Sequence, residues 1–229
     1  MSFIPLLERA FALHQVGQIA EAEPLYQQVL QLEPEQPDAL HLLGVIAHQR
    51  GQLEPAVALI RRAIAKFANN AAMHKNLGVV LMSLKRYAEA EQAFAAALAL
   101  DAQDADSWQQ LATVQRGQSR FSEAERSCRE AIRLNPQLAD AHDQLGMLVQ
   151  ARGGYAESES HFRQALAIAP QHLLARVHLG VSLSASGRWS EAQQFFREAL
   201  RLEPKNLQAL LGYGSMLHDQ GLSAEGAAI

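Results

Sequence analysis

The chain has 229 residues, 48% of them hydrophobic and 19% charged, with a formal net charge of −4. That mixture supplies a buried core and is too apolar for a disordered chain, and its acidic balance argues against nucleic acid, whose binding draws on clustered cations. Cys128 is the one cysteine, so an intramolecular disulfide is excluded.

The chain opens with MSFIPLLERAFALHQ, in which no basic stretch precedes the apolar residues and Glu8 and Arg9 interrupt them early. No signal peptide is read there. Nowhere does an uncharged apolar run approach the roughly 18 residues that span a bilayer, so the expectation is a cytoplasmic chain without membrane insertion. Ile4, Leu7 and Phe11 fall on one side of the predicted first helix, an apolar stripe with no preceding repeat to cover it.

From residue 3 onward one pattern recurs with a period of 34, in repeats 3–36, 37–70, 71–104, 105–138, 139–172 and 173–206, with a shortened seventh copy from Leu207. The second repeat shows the first half of the pattern: Leu40, Leu43, Gly44 and Ala47 at repeat positions 4, 7, 8 and 11 line one face of a helix. GQL (51–53) then marks a turn, because glycine tolerates the left-handed conformation that ends a helix. The third repeat shows the second half, with Ala90, Phe94, Ala97 and Leu98 at positions 20, 24, 27 and 28. It turns through Lys85 instead of glycine, and Ala102, like Ala68 before it, stands where Pro34, Pro136, Pro170 and Pro204 close other repeats. The fourth keeps Trp108, Leu111, Ala124 and Ala131 but has Gln115 at an apolar position, Ser119 at the turn and Cys128 for the aromatic; it reads as the weakest joint. The fifth carries GGY (153–155) and Ser158 for alanine, and the sixth carries Gly180, GRW (187–189), Ala192 and Ala199. In the seventh, Leu210, Gly214, Leu217 and Gly221 repeat a first helix. Only LSAEGAAI remains for its partner, so Leu210, Tyr213 and Leu217 are expected to need covering by another molecule.

The period of 34, Leu-Gly at positions 7–8, the aromatics at 17 and 24, alanine at 20 and proline at 32 resemble the tetratricopeptide repeat over nearly the whole chain. The resemblance implies an all-α fold: a right-handed solenoid superhelix of antiparallel helix pairs, one domain over 1–229 with six complete repeats and a truncated seventh.

No catalytic chemistry is legible. There is no G-x-S-x-G elbow, no phosphate-binding glycine loop and no H-E-x-x-H, so no catalytic, cofactor or metal residues are expected and the chain reads as a non-enzyme. His74 and His142 occupy position 4, a packing position. His41 and His48 lie seven apart on one helix face without an acidic or thiol ligand at useful spacing, and read as surface or ligand-contact residues. Asp38, Asp106 and Asp140 recur at position 2, where carboxylates cap amides and complement the helix dipole.

Function is therefore expected on the surface of successive first helices. Position 9 is mostly apolar there, with Val79, Met147 and Val181 as candidate floor residues. Position 6 reads Asn76, Gln110, Gln144 and His178, a row able to bond the main chain of an extended peptide. The row resembles loosely the asparagine row in the arms of O-linked N-acetylglucosamine transferases, with Asn76 alone keeping the asparagine. With Lys75, His41 and His48 these residues make the expected peptide site. The leading reading is a protein-interaction module for an extended peptide or a partner helix. One alternative is the recruiting arm of a larger bacterial enzyme, since DALHLLGVIAHQRGQ (38–52) looks like repeats placed before glycosyltransferase, sulfotransferase or hydroxylase domains. The other is self-assembly through the first helix or the shortened repeat.

Overall fold

A computed structural model describes residues 2–221. Among these residues there are thirteen α-helices and no strand: α1 (Ile4–Gln15), α2 (Ile19–Leu32), α3 (Pro37–Gln49), α4 (Leu53–Lys66), α5 (Ala71–Ser83), α6 (Tyr87–Leu100), α7 (Ala105–Gly117), α8 (Phe121–Leu134), α9 (Ala139–Ala151), α10 (Tyr155–Ile168), α11 (Leu173–Ala185), α12 (Trp189–Leu202) and α13 (Leu207–Asp219). From α3 on, each first helix begins 34 residues after the last, as the sequence period requires. The all-α helical-repeat class is the one expected. The chain divides into two compact units, one ending at Ser119 with α1–α7 and one beginning at Arg120 with α8–α13. The division falls inside the fourth repeat.

In the first unit, the short connections 16–18, 50–52 and 84–86 reverse the chain, so α1–α2, α3–α4 and α5–α6 are antiparallel pairs. In the second unit, α9–α10 and α11–α12 pair in the same way, and α13 packs on α11 and α12. The small residue at position 8 and the aromatic at position 24 are one device. A Cβ built on Gly78 would lie 2.8 Å from Cζ of Phe94, one on Gly146 2.5 Å from Cε1 of Phe162, and one on Gly180 3.0 Å from Cε1 of Phe196. Those three rings are wholly buried. The missing side chain is what lets the second helix press its ring onto the first.

The turns confirm the pattern and show its exceptions. Lys85 and Ser119 adopt φ of 58° and 61°, the left-handed conformation that glycine takes at the equivalent turns. Holding an L-residue there costs about 1–2 kcal/mol.

Capping differs from the expectation. Asp38, Asp106 and Asp140 sit inside the first turn, near the positive end of the helix dipole, and do not cap. The cap is position 34 of the preceding repeat, where Gln36, Asn70, Asp104, His172 and Asn206 each accept a backbone N–H through the side chain. The geometry decides it: a side chain reaches the free amides from the residue before the helix, and not from within its first turn.

Position 4 also does more than pack. His74 Nε2 meets the Ala68 carbonyl at 2.9 Å, Trp108 Nε1 the Ala102 carbonyl at 3.1 Å, His142 Nε2 the Pro136 carbonyl at 3.2 Å and an Arg176 amine the Pro170 carbonyl at 2.6 Å. Each is an N–H donor satisfying the main chain of the loop that leads into its own helix. Leu40 cannot donate, and the Pro34 carbonyl takes a bond from Arg62 at 3.0 Å instead.

The expectation for α13 is corrected. Tyr213 and Leu217 are buried and Leu210 half-buried, because positions 7 and 11 turn back onto α11 and α12; the Tyr213 ring stacks on Phe196 with centroids 5.9 Å apart. Leu207 and Leu211 are the exposed apolar residues. The question of a covering helix in 222–229 lies outside the described residues.

Candidate functional site

In the first unit, the first helices carry most of the expected residues, and two of them, His41 and Asn76, bond to each other. The Asn76 amide donates to Nε2 of His41 at 2.8 Å. His41 is therefore neutral with its proton on Nδ1, and burial holds its pKa below the usual histidine value. His48 Nε2 lies 3.1 Å from the Ser83 hydroxyl, whose own proton goes to the Val79 carbonyl at 3.1 Å, so the histidine is the donor. Lys75 Nζ is 2.9 Å from Oδ2 of Asp104 and is held in that pair. Gln110 and Val79 are half-buried, with an edge towards solvent.

The second unit repeats the theme with other residues. Nδ1 of His178 donates to Oδ1 of Asp143 at 2.7 Å, and Asp143 is almost completely buried. Gln144 is half-buried with its Oε1 3.9 Å from the Cys128 sulfur, a long contact to a thiol that fills a buried core position. Met147 is half-buried and Val181 is 38% exposed.

As a row free to bond a peptide, the position-6 side chains would all point away from the helix interfaces. Two of them instead tie neighbouring first helices together, each reaching back 35 residues to position 5 of the repeat before. The reason is distance: adjacent first helices lie close enough for an amide or imidazole to span the gap. His41 and Asp143 were thus half of a pattern that reading one position at a time misses. Read as pairs 35 apart, His41 with Asn76 and Asp143 with His178, it is present in the sequence.

A second histidine cluster lies off this face. His142 and His161 place their Nδ1 atoms 3.2 Å apart. The Pro136 carbonyl can only accept, so His142 carries its proton on Nε2 and accepts on Nδ1 from His161. Burial lowers the pKa of both. Among the described residues no group of three or more His, Cys, Asp or Glu side chains could hold a metal ion. No helix there is long and apolar enough to cross a membrane.

The family model of the Cilia and flagella-associated protein 70 C-terminal domain, a tetratricopeptide-repeat domain, matches residues 6–210. The chain belongs to this tetratricopeptide-repeat family. Solved structures place the fold beside other tetratricopeptide-repeat proteins. PilF of Pseudomonas aeruginosa is 22% identical with a TM-score of 0.73, over 85% of this chain and 90% of that one. A tetratricopeptide repeat protein from Parabacteroides merdae is 16% identical with a TM-score of 0.76, over 99% and 90%. YrrB, described as a TPR protein with an unusual peptide-binding site, is 22% identical with a TM-score of 0.66, over 86% and 98%. Such identities establish a common fold. No curated protein matches the sequence.

Proposed function

We propose that this tetratricopeptide-repeat chain is a non-enzymatic interaction module that takes an extended peptide or a partner helix along its first helices. The observation that carries the reading is the set of half-buried side chains that each unit presents on its own first helices. Gln110 and Val79 on the first helices of one unit, and Gln144, Met147 and exposed Val181 on those of the other, offer amide and apolar surface. Amides bond a main chain whatever its side chains, and apolar edges favour side-chain burial. The peptide-binding site ascribed to YrrB, which shares the fold, lends support. Asn76 and His178 enter as the rigid frame of that surface, since each already holds a neighbouring helix.

Selection from a library of unstructured random peptides tests this. Peptides enriched through the first unit should lose binding to Gln110→Ala chains, and those enriched through the second to Val181→Asp chains, both variants melting as wild type does. Peptides that bind wild type and both variants equally would refute the site, and no enrichment at all would refute the reading.

A further inference from the structure

The first helix carries a groove of its own. Leu7, Glu8, Phe11, Ala12 and Gln15 of α1, with Asp38 of α3, enclose about 480 Å³ open to solvent. Its floor is apolar, and Phe11 is 46% exposed. Its rim is acidic. Among the described residues neither Glu8 nor Asp38 meets a cation; Asp38 accepts only from the Gln36 amide, at 3.2 Å. Several other carboxylates on this chain are bound by arginine, as Glu89 is by Arg61 and Arg86, or Glu157 by Arg129 and Arg152. The uncompensated charge of Asp38 also reaches the interior: it adds to burial in pushing the Tyr26 hydroxyl up to about 12.

Two carboxylates without a cationic partner over an exposed aromatic floor fit one ligand chemistry: a cationic side chain next to an apolar one. The guanidinium or ammonium meets Glu8 and Asp38 while its aliphatic stem and neighbour cover Leu7 and Phe11. We infer that the α1 groove seats a basic, apolar segment of a partner protein and sets the charge preference of the module. The inference rests on the peptide-binding reading above and adds to it a place and a chemistry.

The test uses a short fluorescein-labelled peptide alternating arginine with leucine, and its counterpart with glutamate for arginine, followed by anisotropy against the full chain. The arginine peptide should bind, more weakly as salt rises, and the glutamate peptide should not. Glu8→Gln and Asp38→Asn should each weaken binding about two- to five-fold, and Phe11→Ala by about tenfold or more, with melting unchanged for Glu8→Gln and Phe11→Ala, whose side chains are exposed. Binding that ignores peptide charge, or that survives all three substitutions, overturns the inference. If it survives them but falls with Gln110→Ala or Val181→Asp, the broader reading stands and only this groove is wrong. Failure of the arginine peptide to bind at all also overturns it, as does a dimer in sedimentation that Phe11→Ala dissolves, since a second copy would then be the occupant.

Discussion

Gly146→Ala separates local preference from packing, because the two give opposite signs. In an isolated helix the change should stabilise by about 1 kcal/mol, since glycine is a poor helix former. In α9 the new Cβ would stand 2.5, 2.8 and 3.0 Å from Cε1, Cδ1 and Cζ of Phe162. Carbon atoms rest about 3.5–4.0 Å apart, so ring or helix must retreat by about 1 Å. Phe162 is wholly buried. Overpacking of this kind costs about 1–3 kcal/mol, and the upper end applies to so short a contact. The net effect should be a loss of about 1–2 kcal/mol, or about 2–8 °C in melting for a chain of this size. Circular dichroism melts of wild type, Gly146→Ala and Gly146→Ala with Phe162→Leu provide the assay. The double variant should recover part of what the contact costs, because the smaller side chain leaves the methyl room. A single variant that melts higher than wild type would refute the account of position 8.

Lys85→Gly and Ser119→Gly should each raise stability by about 0.5–1 kcal/mol in urea unfolding, the left-handed strain relieved less the entropy glycine adds to the unfolded chain; a loss at either turn would show its side chain to matter more than its φ. Asn76→Ala should destabilise by about 1 kcal/mol or more, because it removes one bond and leaves Nε2 of buried His41 unpaired; an unchanged melt would mean the tie is not formed. His14, His41, His142 and His161 all have pKa values lowered by burial, so the unfolded chain takes up protons before the folded one; His172 runs the other way, raised chiefly by its bond to Asp140. With four against one, stability should be full above the ordinary value of 6.5 and fall as pH drops through and below it; a urea midpoint higher at pH 5.5 than at pH 7.5 would contradict this. Glu89, hydrogen-bonded chiefly by Arg86 and also by Arg61, should titrate at about 2 by NMR and move up in Arg86→Ala.

The repeat fold was legible because its devices are local and recur. Gly78, Gly146 and Gly180 with Phe94, Phe162 and Phe196 state the close helix approach in the sequence, and the left-handed turns at Lys85 and Ser119 were marked by where glycine falls in other repeats. The caps were misread because aspartate at position 2 recurs conspicuously, whereas position 34 varies among Gln36, Asn70, Asp104, Leu138, His172 and Asn206. Type alone hid a role that all of these but Leu138 share. The candidate site was legible only in part: helical periodicity gave the face that Asn76 and His178 occupy. Which partner each bonds depends on the distance between neighbouring helices, and a single position does not encode that.

The bonds from position 4 to the loop carbonyls have a consequence for how such chains diverge. Histidine, tryptophan, histidine and arginine stand at His74, Trp108, His142 and Arg176 and perform one task, and where Leu40 abandons it Arg62 reaches across from another helix. A substitution table scores that column as drift. Counted by protons delivered to a loop carbonyl, the loops before α3, α5, α7, α9 and α11 are alike, five carbonyls with five donors, while Leu210 at position 4 of α13 cannot donate. What these five loops share is hydrogen-bond stoichiometry, which residues of unlike size and charge supply equally. Distant copies of this repeat are then better recognised by asking which N–H can reach the loop than by asking which letter is there.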